Sequence, residues 1–215
     1  MYHFVDYTPP PGRWSAGLTV PVQEFGQQMD YLAGHGFHPV LLRDVYAAMG
    51  GGPPLPARPV AITFDDGNED NFTIAFPILK AHGFVATFFV ITDRVGRGFK
   101  MSWSDLETMQ DAGMDIESHT VSHPDLTLLD AGRLEQELAE SRAALVSHLQ
   151  NAPVALAYPA GAYNARVIKA ARAAGYLLAV TTHHGTVLDP AQRYSWPRVR
   201  VFPKIGLKGF GSSLD

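Results

Sequence analysis

The sequence predicts an α/β fold built as a closed βα barrel. Short apolar runs alternate with amphipathic segments along the chain. Strands separated by helices pair in parallel through crossovers. The pattern yields about seven or eight βα units, which suit a closed barrel better than an open sheet. With 215 residues the chain fits a single domain spanning 1–215.

Taken in order, the apolar opening Tyr2-His3-Phe4-Val5 reads as the tail of a strand (2–5), so the start is either trimmed or naturally short. An amphipathic helix follows at 22–34, then a strand at 39–41 and a helix at 42–49. Gly51-Gly52-Pro53-Pro54-Leu55-Pro56 is a surface linker. A strand at 59–64 ends in Val60-Ala61-Ile62-Thr63-Phe64, and a helix is expected at 70–82. The run 84–91 has the length of a strand. A helix at 104–112 starts behind Ser104, before Asp105-Leu106-Glu107, and is closed by Gly113. A strand at 114–117, a helix at 131–149 and a strand at 154–158 come next. A helix at 164–174, closed by Gly175, leads to strands at 176–182 and 198–202.

Composition narrows the function classes. Seventeen Lys and Arg against 21 Asp and Glu give a net charge of −4, so no basic surface waits to neutralise phosphates and nucleic acid is not the partner. The 46% of apolar residues is enough for a sizeable core and excludes global disorder. Without cysteine there is no disulfide scaffold, no thiolate zinc site and no thiol nucleophile. No apolar run approaches the length of a membrane span, and no signal peptide is read at the start.

In a βα barrel the chemistry gathers where strands end. Asp65-Asp66-Gly67 follows the third strand run, and Ser118-His119-Thr120-Val121-Ser122-His123 follows 114–117. Pro159-Ala160-Gly161 follows 154–158, and His183-His184-Gly185 follows 176–182. Asp-Gly is an ordinary turn, but two adjacent carboxylates at a buried strand end need a cation or an Arg between them. His119 and His123, four apart, are expected on one face of a helical turn, at metal-ligand spacing. No Glu stands between them, which excludes the His-Glu-x-x-His protease arrangement. The general base then comes from elsewhere, and Asp65 is the candidate.

Thr63-Phe64-Asp65-Asp66-Gly67, His119-Thr120-Val121-Ser122-His123 and Tyr158-Pro159-Ala160-Gly161 resemble the first three motifs of the polysaccharide deacetylases, carbohydrate esterase family 4, with the NodB homology domain. Tyr2-His3, Phe76-Pro77-Ile78-Leu79, Ala86-Thr87-Phe88-Phe89-Val90 and Trp196-Pro197-Arg198-Val199-Arg200-Val201 extend the likeness over nearly the whole chain. The resemblance implies a distorted (β/α)7 barrel, TIM-like, with a divalent metal held by Asp66, His119 and His123. Zinc is the first choice, with cobalt, nickel and iron as alternatives. It implies Asp65 as base and an oxyanion held by the backbone N–H of Ala160, within the substrate-side stretch Tyr158-Pro159-Ala160. It implies an extracellular or cell-envelope setting, while the lack of a readable signal peptide leaves a cytoplasmic one open.

Two departures stand out. The family's third motif usually starts with Arg and carries Tyr before Gly, whereas this chain has Ala157 and Ala160. Arg198 is the expected substitute for the Arg that orients the base. The closing strand that normally ends in an acid His is also missing after Arg198, and His183 is the expected substitute, ahead of His184. His3, after Tyr2 in an early strand, is placed either near the rim or, more plainly, as a packed histidine. Trp14, Trp103 and Trp196 are candidates for stacking on sugars, Trp103 more plainly as core.

The function expected is metal-dependent removal of N-acetyl groups from a polymer such as poly-N-acetylglucosamine, peptidoglycan or a chitin-like chain. An ester needs less leaving-group protonation than an amide, so a missing acid His leaves room for an O-acetyl (xylan-type) esterase, or for a small-molecule amidohydrolase. A catalytically weak carbohydrate-binding protein is the reading from another class, against which Asp65, Asp66, His119 and His123 stand.

Overall fold

The computed structural model describes residues 1–10 and 15–214. Trp14 lies outside the described residues. The elements run β1 (Phe4–Asp6), α1 (Ser15–Leu18), β2 (Thr19–Pro21), α2 (Val22–Gly34), β3 (His38–Pro39), α3 (Leu42–Met49), β4 (Pro59–Val60) and β5 (Thr63–Phe64). They continue with α4 (Phe76–Ala81), β6 (Thr87–Val90), α5 (Trp103–Asp111), β7 (Asp115–Ser118), α6 (Ala131–His148), β8 (Ala155–Ala157), α7 (Ala165–Ala173), β9 (Leu178–Val180) and α8 (Gly206–Ser212).

A five-stranded parallel sheet, ordered β5-β6-β7-β8-β9, curls through the molecule. Its two edges meet through single backbone bonds. Thr181 N–H donates to Trp196 O, Met1 donates to Val199 O, and Val201 N–H donates to Met1 O. Tyr2 N–H then donates to Thr63 O, and Asp65 N–H to Tyr2 O, which returns the ring to β5. Five strands plus the stretches 196–201 and 1–2 make a distorted seven-position barrel. The expected strand 198–202 is therefore seam rather than ladder: it bonds one residue at a time to Met1 and to the β9 side. The expected strand 59–64 splits, because Pro59–Val60 pairs with β3 while Thr63–Phe64 joins the main sheet.

Period-two alternation sorts the side chains. Phe64, Phe88, Val90 and Ile116 face outward, against α2, α4 and α5. Leu156, Tyr158 and Ala179 face α6 and α7. Phe89, Ala155, Ala157, Leu178 and Val180 point inward and meet Leu42 and Val45 of α3 and Trp196. Arg43, on α3, reaches Asp115 at 2.5 Å and Glu117 at 3.2 Å, so α3 plugs the barrel at the N-terminal ends of the strands. The opposite end stays open for chemistry.

Local corrections have local causes. The helix expected at 70–82 is a π turn over 71–75 followed by α4. Pro77 has no N–H to donate back to Thr73, so the ladder slips to a Phe76 N–H···Asn71 O bond. The cap of α5 is Ser102, not Ser104. Its hydroxyl accepts from Asp105 N–H, and Asp105 accepts in return from Ser102 N–H. Trp103 stacks on His148 with ring centroids 3.9 Å apart, and the Trp196 indole is fully buried and donates to Asp189 O, so both are structural. β2 and α8 were not expected. α8 carries three glycines of low helix propensity, and packing overrides it: a Cβ on Gly211 would sit 2.4 Å from the Tyr31 hydroxyl of α2.

Candidate metal centre and catalytic residues

Thr63 and Asp65 lie two apart at the end of β5, on its inward face. Asp65 is 2% exposed, and Arg198 grips it with both terminal nitrogens, Nη1 to Oδ1 and Nη2 to Oδ2, each at 2.7 Å. The same guanidinium donates to Thr63 Oγ1 (3.2 Å) and, through Nε, to Thr181 O (3.0 Å). Burial alone would push the Asp65 carboxyl up. The Arg198 charge and its hydrogen bonds outweigh that and hold it well below the usual carboxylate range, so it is ionised at any working pH.

Asp66 follows with φ 75°, turning its carboxylate away from its neighbour and toward the histidines. Its Oδ1 lies 3.5 Å from His119 Nε2 and 3.8 Å from His123 Nε2. One ligand atom from each of the three falls within 4.8 Å of the others. Ligand atoms around a tetrahedral zinc stand about 3.3 Å apart, so these side chains fit a divalent cation after small rotations. His119 supplies a second sign. Its Nδ1 sits 2.8 Å from Ala157 O, and since a carbonyl only accepts, Nδ1 carries the proton and Nε2 presents a lone pair to the centre. Burial, helped by His119, pushes His123 below the usual imidazole value, toward the neutral, ligating form.

The two histidines do not share a helical turn. Residues 119–125 form a loop, in which Thr120 has φ 69° and His123 φ 66°. Among the described residues, six other than glycine have positive φ, and four of them, Asp66, Thr120, His123 and Ala160, belong to this site. Threonine is β-branched and strained there, a conformation that persists only where surroundings impose it. The imidazoles still converge, edge to face, with centroids 4.6 Å apart.

On the β8 side, Tyr158 and Pro159 are buried, and Ala160 is exposed with φ 53°. The Tyr158 ring packs outward, beneath α6 and α7, and donates to Tyr194 O, so of the expected substrate-side trio only the backbone and Ala160 face the open end. His183 accepts from Arg198 N–H through its carbonyl, but its imidazole is exposed, with the Tyr163 ring 5.9 Å away. His3 stands differently. Burial pushes its imidazole below the usual value, partly offset by the charges of Asp65 and Asp66. Its carbonyl accepts from Asn68 and Asn71, which ties it to the Asp65-Asp66-Gly67 loop. Sequence reasoning placed His3 near the rim but preferred packing; the signal for its place beside the loop was Asn68 and Asn71, just behind the paired aspartates.

Carboxylates and imidazoles gather at the strand ends of a βα barrel, one carboxylate clamped by Arg198 and the other grouped with two histidines that could hold a cation, an arrangement that fits a hydrolase. Residues 52–179 match the family model described as polysaccharide deacetylase. The chain belongs to the polysaccharide deacetylase family. It is 31% identical to the Bacillus subtilis protein YxkH, over 92% of this chain and 71% of that one. It is 32% identical to the poly-β-1,6-N-acetyl-D-glucosamine N-deacetylase of Staphylococcus epidermidis, over 85% of this chain and 68% of that one. The Streptococcus pyogenes deacetylase PplD, solved in complex with acetate, superposes with a TM-score of 0.92 at 29% identity, covering 100% of this chain and 96% of the other.

Proposed function

We propose that this chain removes acetyl groups from N-acetylglucosamine units of a polysaccharide, with a β-1,6-linked polymer as the first candidate. The observation that carries the reading is the two-pronged Arg198 clamp on Asp65, set beside the Asp66–His119–His123 group. It separates two adjacent carboxylates into different tasks. The likeness to the staphylococcal enzyme supports the choice of polymer.

A divalent metal bound by Asp66, His119 and His123, with zinc as first choice, would supply Lewis-acid polarisation and lower the pKa of water at the site. The chain's own groups do the rest. Each Asp65 oxygen keeps a second lone pair beyond its bond to Arg198, and there Asp65 takes the proton of the attacking water. Arg198 fixes the orientation of that lone pair. The exposed Ala160 peptide N–H is the donor for the charge developing on the acetyl oxygen. As the carbon–nitrogen bond breaks, the amine needs a proton, and His3 is the candidate donor: its backbone is tied to Asn68 and Asn71 just behind the paired aspartates, and the two carboxylates partly offset the burial that pushes its imidazole toward the neutral form. Acetate and a free glucosamine unit result. The esterase reading rests on a missing acid, which His3 in this role would supply.

The test is acetate release by zinc- or cobalt-loaded protein from β-1,6-linked N-acetylglucosamine oligomers, chitin oligomers and acetylated xylan. Release from the N-acetyl oligomers is expected. Release from acetylated xylan alone would replace this reading with the esterase.

A further inference from the structure

We propose that Glu137, on α6, is a positioning residue that holds the His119–His123 loop in its metal-ready conformation. It rests on the reading of Asp66, His119 and His123 as the metal site. Glu137 is 2% exposed, in the middle of an otherwise amphipathic helix. A carboxylate buried this deeply is costly unless its oxygens are used. Here both are. Oε2 accepts from the N–H groups of Val121 (3.0 Å) and Ser122 (2.9 Å), and Oε1 accepts from Ser122 Oγ (2.6 Å). Arg133, one turn earlier on the helix, adds a long contact of 3.7 Å to Oε1.

The bonded peptides lie between the two histidines. The flanking residues Thr120 and His123 are the strained positions of the loop, at φ 69° and 66°. Nothing local explains that strain, because the loop holds no glycine. Glu137 supplies the explanation: it satisfies two successive N–H groups that an extended loop would aim elsewhere. One turn further along α6, Ser141 Oγ lies 2.8 Å from Ser118 Oγ, which accepts from Thr120 N–H (3.2 Å). Thr120 Oγ1 in turn accepts from His123 N–H (3.0 Å). α6 therefore grips the loop at two points, and Glu137 is the stronger because its bonds are charge-assisted.

Glu137→Met keeps the volume and deletes the acceptors. Glu137→Asp keeps the charge but shortens its reach. Glu137→Gln keeps an oxygen for the two peptides and can donate to Ser122 Oγ. The readouts are zinc affinity by competition with a chromophoric chelator, the visible spectrum of the cobalt form, and circular dichroism of the metal-free protein. Wild type should bind one ion per chain; failure there sinks the metal-site reading itself. Given that binding, Met should lose about tenfold or more in zinc affinity, the scale typical of outer-shell support, with an altered cobalt spectrum. Asp should lose affinity too, and Gln should return it to near wild type while the metal-free fold stays unchanged. If Met does not fold, Asp decides: wild-type zinc affinity and cobalt spectrum in Glu137→Asp, or in a folded Met variant, would overturn the assignment.

Discussion

Arg198 and Asp65, 133 positions apart, meet through two parallel hydrogen bonds of 2.7 Å inside the mouth of the barrel. The pair joins the seam of the ring to the end of β5. It also fills the place of the motif arginine that is alanine here, at residue 157. Ala157 is an inward residue of β8, and its carbonyl holds His119. The guanidinium thus arrives from the seam instead of from β8.

Removing that guanidinium should be costly twice over. Arg198→Ala leaves a buried carboxylate unpaired, for which about 3–5 kcal/mol of lost stability is expected, readable as a lower denaturation midpoint. The sign of the pH effect follows from the clamp. Asp65 acts ionised and its carboxyl is held low, so wild-type activity should show no acid limb from this group in the mildly acidic range. Without Arg198, burial dominates and the carboxyl rises, so the acidic limb of the pH–rate profile should move to higher pH. An unmoved limb would show that Arg198 does not set the ionisation of Asp65.

His3 and His183 make opposite predictions. His3→Ala should slow deacetylation of N-acetyl oligomers by about 10² or more, the usual weight of a general acid, and should slow O-acetyl substrates less, since an alkoxide leaves more readily than an amine. His183→Ala should stay within a few-fold of wild type. The reverse ranking, measured as kcat on both substrate types, would return the acid role to His183.

The strands that build the sheet were legible because each is a compact apolar run followed by polar residues. Thr63-Phe64 before Asp65-Asp66 and Asp115–Ser118 before His119 marked the rim where the candidate site lies. Arg198 was legible only through the family resemblance, as the substitute for a motif arginine that is Ala157 here. What escaped lies in tertiary contacts. The seam is set by single bonds to Met1 and Tyr2 that no local pattern encodes. The His119–His123 spacing fits a helical turn, but the residues form a loop whose N–H groups are bonded by Glu137, on the following helix 15 and 16 positions away, a contact that spacing alone does not encode. His3 looked like packing because what faces it comes from residues more than sixty positions away.

Asp65→Asn should abolish hydrolysis and leave the metal in place. The amide matches the carboxylate in size but cannot take a proton, and Asp66, His119 and His123 remain intact. Activity below about one hundredth of wild type is expected, with metal content near one per chain by elemental analysis. Activity within tenfold of wild type would remove Asp65 from the role of base.

Asp70 carries a separate pH dependence. Burial raises its carboxyl to about 7, partly offset by the N–H of Val5, which donates to Oδ2. A group whose folded value lies above its unfolded value near 3.9 destabilises the fold when ionised. Stability should therefore fall as pH rises from about 4 to about 7. Asp70→Asn keeps an acceptor for Val5 and cannot ionise, so its advantage over wild type should grow across that window, to on the order of 4 kcal/mol at pH 8. Parallel stability–pH curves for the two proteins from pH 4 to 8 would contradict this.

Gly161 closes the loop that carries Ala160, and its conformation leaves no room for a side chain. Its φ is 75°, and a Cβ there would stand 2.2 Å from Thr182 Oγ1 and 2.6 Å from Thr182 N. The hydroxyl is free to rotate, but the backbone nitrogen belongs to the stretch just after β9 and is not. Thr182 Oγ1 also donates to Ala160 O at 3.1 Å, so any shift moves the Ala160–Gly161 peptide and, through the Ala160 backbone, the neighbouring N–H assigned to the oxyanion. Gly161→Ala should destabilise the protein by about 1–3 kcal/mol, combining overpacking with left-handed strain. Because the displaced group acts on the transition state rather than on substrate binding, kcat should fall at least tenfold while KM changes little. Equal loss in kcat and rise in KM would mean that the loop binds substrate uniformly, and an unchanged kcat in a folded variant would exclude the Ala160 peptide as the donor.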